Sequence, residues 1–229
     1  LFPYTTLFLS ATTTASKSAC PSPDDYTKSF EGADNIVVVT ITGTLSGSYN
    51  SAEIAKKIYL EEHPDTKIHV IDSLSAGGEV DLIVRKLNHL VAEGLDFDQV
   101  VDGITAYQAK TKLLFVLAKV DNLVKNGRLS KLVGTVVGLL NIRMVGEASK
   151  TGTLELLQKA RGQKKAIKAA FDELIKAGYT GGHITIAHRN NDKFIEQFSE
   201  LIREKFAQAS IEVLPTSGLC SFYAEEGGL

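Results

Sequence analysis

The chain holds no tryptophan, one methionine, two cysteines and five prolines among its 229 residues. The two cysteines, Cys20 and Cys220, have no partners at metal-ligand spacing, so a disulfide scaffold and a cysteine-based zinc site are excluded. Two isolated thiols suit a reducing compartment, and a cytoplasmic location is expected. No apolar run reaches the ~18 residues of a membrane-spanning helix. Charge of one sign is also lacking: the net charge is −2, so no global attraction to nucleic acid is expected. An initiating methionine is missing. Residues 1–10 are similar, except for Leu9, to the translation of a common sequencing adapter and are set aside from fold reasoning as an artefact. The chain is then expected to be a fragment that starts inside a gene and stops abruptly after the turn residues Glu225–Leu229. What is present is ordinary for a folded protein: 44% hydrophobic and 23% charged residues, which excludes a disordered chain.

The most informative stretch is residues 35–50. Ile36 to Ile41 is an apolar, β-branched run of the kind buried on both faces in a parallel sheet. Gly43, Thr44, Ser46, Gly47 and Ser48 follow, and Ala52, Ala55, Ile58 and Tyr59 then recur at helical spacing over Ser51 to Tyr59. Strand, small polar loop and helix together offer backbone N–H groups and hydroxyls to an anion, at the strand end where open α/β sheets bind ligands. The loop is not a G-x-S-x-G nucleophile elbow, because its serine is one place late. It is not a Walker A loop, because no lysine follows the second glycine. On these residues alone, an ordinary Gly/Ser turn with a solvated serine is the better reading.

The rest of the chain continues the alternation. Ser22 to Asp25, with Pro23, starts a helix that Phe30 and Ala33 close. Lys67 to Ile71 reads as a strand, and Asp72-Ser73-Leu74-Ser75-Ala76-Gly77-Gly78 follows it. Val80, Ile83, Val84, Leu87, Leu90 and Val91 form a helix face that Gly94 ends, and Phe97 to Ile104 form the next helix. These are βαβ units with a parallel sheet. Beyond about residue 110 the pattern changes. Leu113 to Ala118 is a strand, Asp121 to Ser130 a short helix and tight turn, and Lys131 to Leu140 a helix. Asn141 to Glu147 and Leu154 to Ala160 form a hairpin turning at Lys150–Thr153. Ala166 to Ile175 and Phe194 to Phe206 are helices, the second capped by Asn191, and His183 to His188 and Ile211 to Leu214 are strands. The hairpin argues for two α/β domains, over 11–110 and 111–229.

Charge is uneven along this second part. Residues 125–168 carry ten basic side chains against two acidic ones, Glu147 and Glu155, a local balance of +8 that leaves −10 elsewhere. Such a surface suits an acidic protein partner or a phosphate-bearing ligand, or is simply a solvated face. Nucleic acid is disfavoured, because the stretch has no Phe, Tyr or Trp for stacking bases. His183 and His188 point to opposite faces of one strand and cannot share a metal. His188 reads as a loop-capping histidine rather than a base, and Cys20 as a small loop residue.

Leu45-Ser46-Gly47-Ser48-Tyr49-Asn50-Ser51-Ala52 and Asp72-Ser73, with further segments in the same order, resemble the DegV family of bacterial fatty-acid-binding proteins. Lys17-Ser18-Ala19-Cys20-Pro21-Ser22-Pro23 is similar to its T-S-x-P-S loop, Leu45 to Ala52 to L-S-G-T-Y-x-S-A, and Asp72-Ser73 to I-D-S. Leu123 to Ser130 with Leu139-Leu140-Asn141-Ile142 is similar to L-x-x-G-G-R-I-S…L-L-N-I-K-P, and Arg161 falls in its R-x-x-K-A segment. The resemblance implies a two-domain carrier, without cofactor, metal or catalytic residue. It holds a long-chain fatty acid in a tunnel between the domains and presents the carboxylate to a fatty acid kinase for phospholipid synthesis. It places Ser46 and Ser18 at the carboxylate, with the Gly47 amide beside Ser46. Tyr223 stands in for the histidine of the family's H-x-G-P-G, and the family's first strand is missing. Arg161 and Lys164 of the basic stretch are the expected partner contacts, and Arg128 either joins them or orders its Asn126-Gly127 turn, on a monomer with no membrane insertion. The alternative is a phosphoryl-transfer or phosphate-binding enzyme using residues 43–48; the missing Walker lysine and the lack of a clustered Asp pair weigh against it.

Overall fold

The computed structural model describes residues 16, 18–129, 141–216 and 218–229. The expected helix over Lys131–Leu140, together with residues 1–10, Lys17 and Ser130, lies outside them. Two compact units emerge. One comprises Ala19–Thr111 with Ser149–Thr153. The other, as far as it is described, comprises 112–148 and 154–229 with Ser18.

The first unit is built on a parallel pair, β1 (Asn35–Thr40) and β2 (Lys67–Asp72), in register from Asn35↔Lys67 to Thr40↔Asp72. Alternation assigns the β1 side chains to two apolar clusters. Ile36 and Val38 pack with Phe30, Ala52, Ala55, Tyr59, Ile68 and Val70. Val37 and Val39 pack with Ile71, Ile83, Leu90, Val100 and Ile104. The β-branched run is thus covered on both faces, although its apolar residues stay half-buried rather than fully buried. The helices supplying these clusters are α1 (Pro23–Phe30), α2 (Ser48–Glu62), α3 (Gly78–Ala92) and α4 (Phe97–Gln108).

Local signals set the helix ends. Ser22 and Asp25 form a reciprocal capping box ahead of α1, with Pro23 in its first turn, and Asp96 and Gln99 do the same for α4. Gly94, at φ +74°, follows α3 in the left-handed region that glycine adopts without strain. Ile83 and Ile104 are fully buried; truncating either to alanine would cost about 2–5 kcal/mol.

In the second unit β3 (Leu114–Leu117), β4 (Ile142–Ala148) and β5 (Leu154–Arg161) form an antiparallel sheet, the last two as the expected hairpin. The register shifts between Val145 and Gly146. Gly146 lies opposite Phe115, and a Cβ there would overlap the Phe115 ring and the Glu155 carbonyl. Helix α5 (Asp121–Lys125) follows β3. One cluster joins Val116, Val145 and Ala160 of the sheet to α6 (Gln163–Lys176) and to Phe194. A parallel pair, β6 (His183–His188) and β7 (Ser210–Pro215), flanks α7 (Asp192–Lys205) in the chain, and α8 (Gly218–Ala224) follows.

One expected cap differs. Asn191 precedes α7 but its side chain makes no capping bond; its Nδ2 donates to the Gly227 carbonyl at 2.7 Å. His188 Nδ1 instead accepts the Asn191 N–H at 3.4 Å, which fits the loop-capping reading of that histidine.

Candidate functional site

The loop after β1 is held by bonds within itself and to the segment that follows β2. Thr42 is fully buried. Its N–H donates to the Ser75 carbonyl at 2.8 Å, and its own carbonyl accepts Leu45 N–H at 3.1 Å and Ser46 N–H at 3.2 Å. Asp72, at the end of β2, accepts Gly43 N–H at 3.2 Å and Leu74 N–H at 2.9 Å through its carboxylate. One carboxylate therefore ties the two strand-end loops together, a role for Asp72 that strand alternation gives no sign of.

Ser46 is half-buried at the mouth of this loop, one residue before the α2 cap Gly47. Ser48 N–H donates to Ser46 Oγ at 3.2 Å, and the two hydroxyls lie 2.9 Å apart. The Ser46 oxygen is thus oriented by backbone, while its proton goes either to Ser48 or to a ligand. Ser48 also bonds to the Tyr26 phenol, whose pKa burial raises while this hydrogen bond works the other way. The helix begins at Ser48, three residues before the expected Ser51, so the Ser48 hydroxyl sits in its first turn and the Ser46 hydroxyl just ahead of its cap. The first-turn N–H groups of a helix lack intrahelical partners, and a hydroxyl beside them extends the donor set.

Cys20 is more than a small loop residue. Its Sγ sits 3.0 Å from where a Gly47 Cβ would stand, and it contacts Ser51 Oγ at 3.8 Å. Any side chain at 47 would displace it.

Ser18 and Tyr223, 205 residues apart, are brought together: their hydroxyls lie 3.3 Å apart. Arg128 stacks over the Tyr223 ring, its guanidinium carbon 4.9 Å from the centroid. These three form one group in the second unit; Ser46 and Gly47 belong to the first. The support beneath Tyr223 comes from α5. Glu225 is buried at φ +54° and its carboxylate accepts Asn122 N–H at 2.9 Å, while Asn122 Nδ2 donates to the Phe222 carbonyl at 2.9 Å. Burial pushes the Glu225 pKa up, against the lowering effect of the Asn122 N–H. Buried Asn122 and Glu225 were not singled out by sequence, since nothing local marks a carboxylate that bonds a backbone amide 103 residues away.

Arg161 and Lys164 are exposed, at the end of β5 and in the first turn of α6, near exposed Lys159, Lys165 and Lys168. Among the described residues no group of three or more His, Cys, Asp or Glu is placed to hold a metal, and no helix is long and apolar enough to cross a membrane.

The DegV family model, whose description reads "Uncharacterised protein, DegV family", matches residues 8–229. A DegV domain-containing protein of Streptococcus pneumoniae is 77% identical over 219 residues, covering 96% of this chain and 78% of its own length. The crystal structure of the S. pneumoniae fatty acid kinase (Fak) B3 protein, loaded with linoleic acid, superposes with a TM-score of 0.95 at 75% identity, over 98% of this chain and 80% of that one. A DegV family protein from Eubacterium eligens loaded with heptadecanoic acid gives a TM-score of 0.92 at 39% identity, over 98% and 82%. With nearly its whole length matched at this identity, the chain belongs to the DegV family.

Proposed function

We propose that this protein is a non-enzymatic carrier that binds one long-chain fatty acid and presents its carboxylate to a fatty acid kinase. The observation carrying the reading is the likeness, at 75% identity and a TM-score of 0.95, to a fatty acid kinase B3 protein loaded with linoleic acid. We assign the head group to Ser46 and the Gly47 amide of the first unit, and keep the Ser18 and Tyr223 hydroxyls of the second as a separate candidate pair. A carboxylate leaving water needs hydrogen bonds to replace its hydration, and leaving it unpaired costs several kcal/mol. Hydroxyls and helix N-terminal amides meet that need without burying a counter-charge. Each buried methylene of the acyl chain adds about 0.8 kcal/mol, so the chain supplies most of the affinity and the hydroxyls supply the orientation. The kinase is assigned to the basic side chains, with Arg128, Arg161 and Lys164 as contacts, in the cytoplasm where ATP is available.

Denaturing mass spectrometry of the purified protein tests this directly. A long-chain acid should be released, and added oleate should be taken up by stripped protein. A ligand-free spectrum with no uptake overturns the reading. Thermal shift separates the alternative: nucleotide with Mg²⁺ should stabilise a phosphoryl-transfer enzyme, fatty acid a carrier.

A further inference from the structure

We propose that Gly152 and Thr44 form a clamp that fixes the 42–47 loop in the shape presenting Ser46, making both of them positioning residues for head-group recognition. The inference rests on the fatty-acid reading above.

Gly152 lies at the tip of the turn between β4 and β5, and the segment Ser149–Thr153 packs with the unit that contains the loop. Thr44 Oγ1 donates to the Gly152 carbonyl at 2.5 Å. A hydroxyl has one proton to give, so the 3.1 Å bond between Thr42 Oγ1 and Thr44 Oγ1 is donated by Thr42. Thr42 Oγ1 in turn accepts Thr44 N–H at 3.3 Å. The hydroxyl direction is thereby set along the whole series, from Thr42 to Thr44 to the turn carbonyl. The Thr42 carbonyl, at the base of the series, is the acceptor of Ser46 N–H.

Position 152 also tolerates no side chain. It lies at φ +80°, and a Cβ would overlap Thr42 Oγ1 and come within 3.1 Å of the Leu74 backbone. Its own N–H is held by Ser149 at 2.9 Å, and Ser149 Oγ bonds Thr151 and Thr153 at 3.0 and 2.7 Å. The tip is therefore a preformed rigid turn pressed against both strand-end loops, and a serine aimed at a carboxylate benefits from such support.

The test uses the full chain and two readouts. The first is affinity for oleate against methyl oleate, which share an acyl chain but not a charged head group. Thr44→Val keeps the β-branched shape and removes the donor. It should weaken oleate binding about tenfold and methyl oleate less than about twofold, and Thr44→Ser should restore oleate to within about threefold. Gly152→Ala should act as Thr44→Val or more strongly. If Gly152→Ala fails to fold, the Thr44 pair decides. A purely structural role would lower both ligands together, and that result, or no change in either, overturns the clamp. Ser46→Ala measured alongside separates the two claims: if it abolishes discrimination while Thr44→Val does not, the clamp fails and the head-group assignment survives. The second readout needs no ligand. Amide hydrogen exchange across 42–47 should quicken about tenfold in Thr44→Val and recover in Thr44→Ser; unchanged exchange overturns the clamp even where no fatty acid binds.

Discussion

Residues 42, 44, 46 and 48 carry hydroxyls, and no basic side chain falls among residues 42–48, whereas β5 and the start of α6 expose Lys159, Arg161, Lys164, Lys165 and Lys168. The two regions treat negative charge in opposite ways. The loop offers short, directional, neutral bonds whose geometry is fixed by Asp72 and the backbone. The strand and helix offer exposed cations on long side chains, of which Lys168 is paired with Asp172 at 2.8 Å. Neutral donors recognise a carboxylate at contact range and resist salt; exposed cations act over about a Debye length and are screened by it. On the function proposed above, the first suits a ligand that is held and the second a partner that is met briefly.

The sharpest break of this contrast is at Ser46. If it reads the carboxylate as proposed, the bond is charge-assisted, worth roughly 1.5–3 kcal/mol, and Ser46→Ala should lower fatty-acid affinity about one to two orders of magnitude. Titration at low and high salt should give nearly the same loss, and equal discrimination of acid and methyl ester in both proteins would place the head group elsewhere. Charge reversal comes next. Arg161→Glu with Lys164→Glu should weaken the kinase complex about tenfold and flatten its salt dependence while fatty-acid affinity stays intact. Surface plasmon resonance over a salt series reads both, and unchanged kinase binding would leave the basic face as solvated surface.

Tyr223 stands between the two regimes, since it meets a hydroxyl at one end and a guanidinium over its ring. Tyr223→Phe keeps the stack and loses the hydroxyl, so fatty-acid affinity should fall about threefold and kinase affinity should hold. Isothermal titration against each would show whether the ring or the hydroxyl matters. The smallest effect expected is at Glu225. Burial raises its folded pKa above the usual 4.5. Its contribution to stability is therefore present in full below the unfolded value and lost as pH rises through the folded one. Glu225→Gln keeps an acceptor for Asn122 N–H and cannot ionise. The melting temperature of the variant relative to wild type should then rise by a few degrees between pH 4 and pH 7.5; a constant difference would mean the carboxyl is not desolvated in solution.

Much of the fold is legible because its signals are local. The run Ile36–Ile41, the Ser22–Pro23 start and the Gly94 stop each state a backbone preference within a few residues, and the corresponding elements form where those preferences predict. The family resemblance is legible for the same reason, since Leu45–Ala52 and Asp72-Ser73 are short contiguous strings. What is not legible is long-range or depends on a neighbour's choice. Helix α2 starts at Ser48 rather than Ser51: Tyr49, three residues before Ala52, extends the apolar face onto the same cluster, a spacing that the Gly/Ser-rich loop around it masks. Asn191 has the residue type of a cap, yet a carbonyl at Gly227 takes its side chain and His188 takes over. The meeting of Ser18 with Tyr223 spans almost the entire chain. Gly152 reads as an ordinary turn glycine; only the presence of Thr42 and Thr44 against it gives its missing side chain a purpose.

The Phe115 ring over Gly146 works as a gauge for assembly. In the register that forms, the one strand position without a side chain lies under the largest side chain of β3. A slip by a single residue would bring Val145 or Glu147 beneath the ring, one too bulky for the space and the other charged, while turning every other side chain of the strand to the wrong face. The hairpin that carries Lys159 and Arg161 at one end and Gly152 at its tip is thus measured against one aromatic ring, and only one alignment passes.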